Sequence, residues 1–175
     1  MNYIVLAFLF MLSGFFMKYS DELYDVNHET NLSTFLGILC GFVSVAASIY
    51  DVDAAYIFIS ILIGNLIVLK VDGIHHIVAS IVFLAVLFIV GIPNLSLVIL
   101  LICILGIISD EIGHELIPNK TENRFLNFFF EYRFVMKIVV LLLALCGVFN
   151  IWIFVCFIFF ELSYVVADIV FERYN

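Results

Sequence analysis

The sequence predicts an all-α protein: a polytopic membrane helix bundle of seven transmembrane helices, folded as a single domain over residues 1–175. Hydrophobic residues make up 66% of the chain and charged residues only 13%, whereas a soluble domain carries about 25% charged residues. The apolar residues form runs close to the ~20 residues that a helix needs to cross a bilayer core. The charged residues gather at one end of those runs.

Breaks in the apolar runs define the predicted helices. The run 33–70 is too long for one helix and breaks at the polar segment 48–55, whereas 74–109 breaks at a Gly/Pro turn signal at 91–94. The run 134–171 breaks near 147–150. The N-terminus lacks a basic segment and a small-residue cleavage site, so the first span is predicted to be retained. The seven spans are 3–18, 33–50, 54–70, 74–91, 94–109, 134–149 and 151–171.

The basic residues predict the orientation. All seven Lys and Arg residues lie in or next to the loops 19–32, 70–74 and 110–133 or at the C-terminus, and the opposite loops have none. Because short cytoplasmic loops carry an excess of Lys and Arg, we expect a multi-pass protein of the cell membrane with its N-terminus outside and its C-terminus in the cytoplasm.

The acids and histidines share the basic end. All four histidines and every acid except Asp51, Asp53 and Glu161 lie there, which predicts a working surface at that end. No basic patch stands apart from acids, so a nucleic acid is not the expected partner. Membrane lipids are the expected surroundings.

A short repeat accompanies this charge. Ser20-Asp21-Glu22 follows the first span and Ser109-Asp110-Glu111 follows the fifth. The match is consistent with spans 1–3 and 5–7 as parallel copies joined by span 4, a 3+1+3 internal repeat. In such a duplication like motifs meet on one membrane face.

The first acidic motif suits a metal ion. If the first helix continues past the membrane, the four-residue spacing puts Asp21 and Asp25 on one face, with Lys18 beside them. Like charges at that spacing repel unless a cation lies between them. Oxygen ligands suit Mg²⁺, which completes its shell with water and substrate phosphate. The alternative is a solvated acidic loop.

The second motif repeats the spacing with Asp110 and His114, and Glu111 and Glu115 are offset by one residue. Asp together with His also suits a transition metal, and the alternative for His114 is a surface position.

The turn between the third and fourth spans carries Asp72, His75 and His76. Such a short turn must lie at the headgroup level. The alternatives for these groups are a role in the site and ordinary interfacial placement.

Glu161 lies inside the last span, where an acid costs about 2.5–3.5 kcal/mol and normally faces the protein interior or water. Tyr164 and Asp168 continue its stripe, and Asn65 is a candidate partner. Arg133 and Lys137 lie one turn apart where the sixth span begins. They either anchor that helix at the headgroups or hold a diphosphate, Arg133 through a bidentate fork.

The whole arrangement resembles the UbiA family of intramembrane prenyltransferases. Residues 21–25 (Asp-Glu-Leu-Tyr-Asp) look like the first of that family's two Asp-rich motifs, and residues 110–115 (Asp-Glu-Ile-Gly-His-Glu) look like the second. The chain departs from the family at Ser20, where Asn is usual, and at His114, where a second Asp is usual.

The resemblance implies a Mg²⁺-dependent transferase that acts on a prenyl diphosphate or similar lipid phosphate. It implies metal ligands at Asp21, Asp25, Asp110, His114 and Glu115, and catalytic roles for Asp21, Asp25, Asp110, Glu111 and His114. The substrate would contact Lys18, Asp72, Arg133, Lys137, Glu161 and Asp168. It would be a lipophilic isoprenoid whose diphosphate departs with the help of the ion.

Two alternatives come from other classes. One is a non-catalytic accessory subunit of a membrane complex. The other is a small cation or solute transporter in which Glu161 and Asp168 relay the ion, by analogy of topology with SWEET proteins.

Overall fold

The structure, a computed structural model, describes residues 2–117 and 122–174, and the regular elements in these residues are all α-helices. Lys120, one of the seven basic residues counted above, lies outside the described residues. The helices are α1 (Tyr3–Asp25), α2 (Thr30–Tyr50), α3 (Val52–Ile67), α4 (Ile74–Val90), α5 (Leu97–Leu116), α6 (Arg124–Glu131), α7 (Phe134–Leu145) and α8 (Ile151–Tyr174).

Four helices, α1, α2, α5 and α8, are long and apolar enough to cross a membrane. The helices α3, α4 and α7 are apolar but shorter, at 16, 17 and 12 residues. The all-α fold is therefore confirmed, together with four segments compatible with membrane insertion.

Helix bounds differ from the sequence prediction at the charged end. The first helix continues to Asp25, so Asp21 and Asp25 do lie one turn apart on one helix. The predicted loop 110–133 instead contains the end of α5 and the eight-residue helix α6. The Asn123 side chain starts α6 by accepting hydrogen bonds from the amides of Phe125 and Leu126, the usual role of Asn before a first helical turn.

Six helices form a closed circuit of neighbours in the order α1, α2, α3, α5, α7, α8 and back to α1. The helix α4 lies beside this circuit and packs mainly against α2. The fully buried side chains of the core include Leu6, Phe10, Ile57, Met136 and Phe157.

Glycines bring α2 and α4 into backbone contact. A Cβ atom built on Gly37 would lie 2.5 Å from the carbonyl oxygen of His75, and one built on Gly41 would lie 2.6 Å from that of Ala79. Small residues four apart allow this close approach of helices in membranes. The approach fixes the first turn of α4 against the bundle.

Candidate functional site

A cavity of about 270 Å³ lies at the charged end of the bundle, where α1, α3 and α5 end, α4 and α7 begin and the middle of α8 passes. It collects predicted site residues from both acidic motifs and from α8. Those that line it are Asp21, Asp25, Asp72, Asp110, Glu111, Arg133 and Glu161.

Five predicted site residues do not line this cavity. Lys18 lies 2.5 Å from a carboxylate oxygen of Glu22 and 3.2 Å from one of Asp168. Glu115 lies 3.6 Å from the Lys70 ammonium. The others are His114, half-buried on α5, and Lys137, which stands behind the cavity wall.

Asp21 is held by two histidines from α4. Its Oδ1 atom lies 3.0 Å from Nε2 of His75 and 3.2 Å from Nε2 of His76. His75 is 2% exposed, and Tyr24 packs on its ring with centroids 4.7 Å apart. We call Asp21, His75 and His76 the Asp–His–His group. Sequence reasoning placed the two histidines near the headgroups but did not predict their convergence on Asp21.

Asp110 holds the start of α7. Its two carboxylate oxygens accept hydrogen bonds from the amides of Val135, at 2.9 Å, and Met136, at 2.7 Å. Asp110 is 2% exposed. A carboxylate at a helix N-terminus satisfies amides that lack an intrahelical partner and opposes the positive end of the helix dipole. Asp110 thus has a structural role as the cap of α7.

Glu111 and Arg133 form the neighbouring contact. The Glu111 oxygens accept from Nε and Nη2 of Arg133 at 2.8 and 3.5 Å. Arg133 adopts a left-handed backbone conformation, with φ of 48°, immediately before α7. Burial alone would lower the pKa of its guanidinium, but its surroundings, Tyr164 and Glu111 first, raise that pKa above its ordinary value. Arg133 is therefore a permanent positive charge in the cavity wall.

The partner of Glu161 is Lys137, whose ammonium donates to Oε2 at 2.8 Å. Lys137 also donates to the carbonyl oxygens of Tyr132 and Arg133, so it bridges α8 to the start of α7. Asn65, the partner expected from the sequence, lines the same cavity, and its buried Oδ1 has no hydrogen-bond partner among the described residues.

The remaining acids determine what the cavity can bind. Asp25 and Asp72 line it without an ion-pair partner among the described residues. Six acids face it against two cations, Lys70 and Arg133. This excess of negative charge favours a metal cation. Asp21, Asp25 and Asp72 are the lining acids whose oxygens are not engaged by backbone amides, Arg133 or Lys137, whereas both oxygens of Asp110 accept backbone amides.

The cavity floor is apolar. Met17, Ile61, Ile107, Phe157 and Phe160 lie beneath the charged groups. A second cavity of about 80 Å³ adjoins it: His76 lines both, and Cys40, Phe58 and Phe83 line the second. The charged groups therefore lie at one side of this space and apolar side chains at the other.

The opposite end of the bundle is built differently. Asp51 caps α3 by accepting from the amides of Asp53 and Ala54, and Asp53 accepts from the amide of Asn150. The fully buried side chains Leu6, Ile57 and Ile153 belong to the apolar core of the bundle.

No protein-family model, curated protein or solved structure matches this chain.

Proposed function

We propose that this chain is a membrane-embedded transferase, similar to the UbiA family, that acts on a prenyl diphosphate or a related lipid phosphate. In this proposal α1–α5, α7 and α8 are the seven membrane spans, arranged as a 3+1+3 repeat. The charged end faces the cytoplasm, with the N-terminus outside. The observation that carries the proposal is that acids from both motifs, on α1 and on α5, line one cavity with an apolar floor.

Charge balance supports a metal-assisted diphosphate site. A bare diphosphate would be repelled by the acids of the cavity, so it must enter together with a divalent cation. Mg²⁺ would be held by Asp21, Asp25 and Asp72. When bound, the ion neutralises phosphate oxygens and stabilises the negative charge of the departing diphosphate.

The chain's own residues then bind and orient the substrate. Arg133, held by Glu111, presents donors that suit the oxygens of a phosphate, and Lys70 adds a second positive charge to the cavity. The apolar floor holds the hydrocarbon tail and keeps water from the reacting carbon, which matters because an allylic cation reacts readily with water.

The transport alternative has less support. Glu161 and Asp168 already have the partners Lys137 and Lys18. In the described residues the interior towards the opposite end is filled by core side chains such as Leu6, Phe10 and Ile57, so no polar pathway continues from the cavity.

The test is binding of a prenyl diphosphate to the detergent-purified protein, with and without Mg²⁺. We expect binding that requires the ion and is weakened about tenfold or more by Asp25→Asn and by Asp72→Asn, since each removes one carboxylate charge at the metal. Glu172→Gln is the matched control, because Glu172 is an exposed acid in the last turn of α8, outside the cavity.

Absence of binding by folded protein would reject the transferase. Binding that is indifferent to Mg²⁺ and to both aspartate variants would reject the acidic cavity as the site.

A further inference from the structure

Two imidazoles and one carboxylate converge on a single point beside the cavity. The ligand atoms of Asp21, His75 and His76 all lie within 4.8 Å of one another. Both histidine Nε2 atoms face the same carboxylate oxygen, at 3.0 and 3.2 Å. We propose that the Asp–His–His group is a binding site for a divalent first-row transition metal ion of the Zn²⁺ or Fe²⁺ class, with open positions facing the cavity.

The distances fit neighbouring ligands of one ion. Bonds from such metals to imidazole nitrogen and carboxylate oxygen are about 2.0–2.2 Å long. Two ligands about 90–100° apart on one ion then lie ~3.0–3.2 Å from each other. These are the separations of the Asp21 oxygen from the two nitrogens. Small side-chain adjustments would open room for an ion between them.

The ligand types select the class of metal. Imidazole suits Zn²⁺, Fe²⁺, Ni²⁺ and Cu²⁺, whereas Mg²⁺ prefers oxygen ligands and several waters. Two histidines and one carboxylate on one side of an ion are the set that leaves other positions free for water or substrate. Asp21 and His76 line the 270 Å³ cavity, so the free positions lie on that side.

Neighbouring residues of α1, α2 and the turn before α4 pack against His75. Tyr24 covers the His75 ring, and the backbone of His75 lies against Gly37 of α2. A Cβ atom built on Gly73 would lie 2.5 Å from Nδ1 of His75, so a side chain at position 73 would displace the ring. Packing therefore fixes the orientation of the His75 ring, whose buried Nδ1 has no hydrogen-bond partner among the described residues.

This inference shares Asp21 with the proposed diphosphate site but does not rest on the transferase function. It is therefore tested with the metal alone. Metal-free protein in detergent is titrated with Co²⁺, whose visible absorption changes on binding, and bound Co²⁺ is then displaced by Zn²⁺. No prenyl diphosphate is present.

We expect one Co²⁺ per chain, displacement by Zn²⁺ but not by excess Mg²⁺, and a rise in the thermal unfolding temperature when Zn²⁺ is added. Asp21→Asn and His76→Gln should weaken Co²⁺ binding by more than the 10–100-fold that is typical of groups behind the ligands. His76 is the better test of the two histidines, because its side chain is 28% exposed and its loss disturbs the core less than loss of His75.

His28→Asn is the matched control, an exposed histidine between α1 and α2 that lies outside the group, and it should leave Co²⁺ binding unchanged. Folded wild-type protein that binds no Co²⁺ would overturn the inference, because the contacts to Asp21 would then be hydrogen bonds only. Binding that survives both Asp21→Asn and His76→Gln would overturn it equally. Co²⁺ binding without prenyl diphosphate binding would support this metal site and reject the transferase proposal. Prenyl diphosphate binding without Co²⁺ binding would support the transferase proposal and reject this metal site.

Discussion

The acidic motifs of α1 and α5 share a sequence pattern and one cavity, but their carboxylates have different partners. On α5, Asp110 accepts two backbone amides of α7 and Glu111 is occupied by Arg133. On α1, the ion-pair partners of Asp21 among the described residues are the two histidines of α4, and Asp25 has none. Both pairs of acids line the cavity, but the α5 acids are occupied by amides and a guanidinium of the segment that starts α7, whereas Asp25 on α1 has no such partner.

The difference teaches that spacing alone does not assign a role to an acid. The start of α7 follows a left-handed residue, Arg133, and that turn directs the first amides of the helix at Asp110. The start of α4 also approaches Asp21, but it presents the imidazoles of His75 and His76 to that carboxylate rather than backbone amides. Two acidic motifs of similar sequence therefore differ in what their carboxylates contact.

The largest expected effect comes from Asp110→Ala. Two charge-assisted hydrogen bonds disappear and two amides at the start of α7 lose their acceptor. We expect the free energy of unfolding to fall by about 1.5–3 kcal/mol, measured by denaturant titration in detergent micelles. Asp25→Ala, the equivalent change at an exposed position of the other motif, should cost about 0.5 kcal/mol or less. Equal losses would remove the distinction between the two motifs.

Gly37→Ala should have the next largest effect. Its Cβ would meet the carbonyl oxygen of His75 at 2.5 Å, and backbone cannot yield as a side chain can, so α4 must shift. We expect about 1–3 kcal/mol of destabilisation and weaker Co²⁺ binding at the Asp–His–His group.

The matched change is Gly106→Ala on α5, where the added Cβ meets side-chain atoms of Met136 and Val139 at 3.2 and 3.3 Å. Gly106→Ala should destabilise the protein less than Gly37→Ala does, and it should leave Co²⁺ binding unchanged. Co²⁺ binding that tolerates Gly37→Ala as well would show that the position of α4 does not limit the site.

Glu115→Gln should have the smallest effect. Glu115 meets Lys70 at 3.6 Å, and both side chains are largely exposed. Exposed ion pairs contribute about 0–1 kcal/mol to stability, so the free energy of unfolding should change by less than about 1 kcal/mol. Prenyl diphosphate binding should also persist, since Glu115 does not line the cavity. A tenfold loss of Mg²⁺-dependent binding would instead return Glu115 to the metal ligands that the UbiA resemblance implies.

Much of the fold could be predicted from the sequence because apolar runs and turn residues are local signals. Each of the seven predicted apolar segments coincides with one helix. The sequence did not predict α6, because its four phenylalanines lie between Arg124 and Glu131 and form no apolar run of membrane length. Its start depends on one capping side chain, Asn123, which is a weak signal in a polar stretch.

The candidate site was predictable by position but not by pairing. The charge asymmetry identified the end of the bundle at which the site lies. The four-residue spacing predicted that Asp21 and Asp25 share one helix face. The partners depend on contacts between distant segments. His75 and Asp21 are 54 residues apart and Glu161 and Lys137 are 24 apart. The spacing of Gly37 and Gly41 indicates that another helix packs closely against α2. It does not identify that helix as α4.

The peripheral position of α4 has a consequence for how the Asp–His–His group forms. Since α4 contacts the rest of the bundle mainly through α2, one opening movement of this helix would carry both imidazoles away from Asp21 together. Formation of the group is therefore coupled to the docking of α4 on the bundle. An ion bound there would join α1 directly to α4, two helices that otherwise meet mainly through α2.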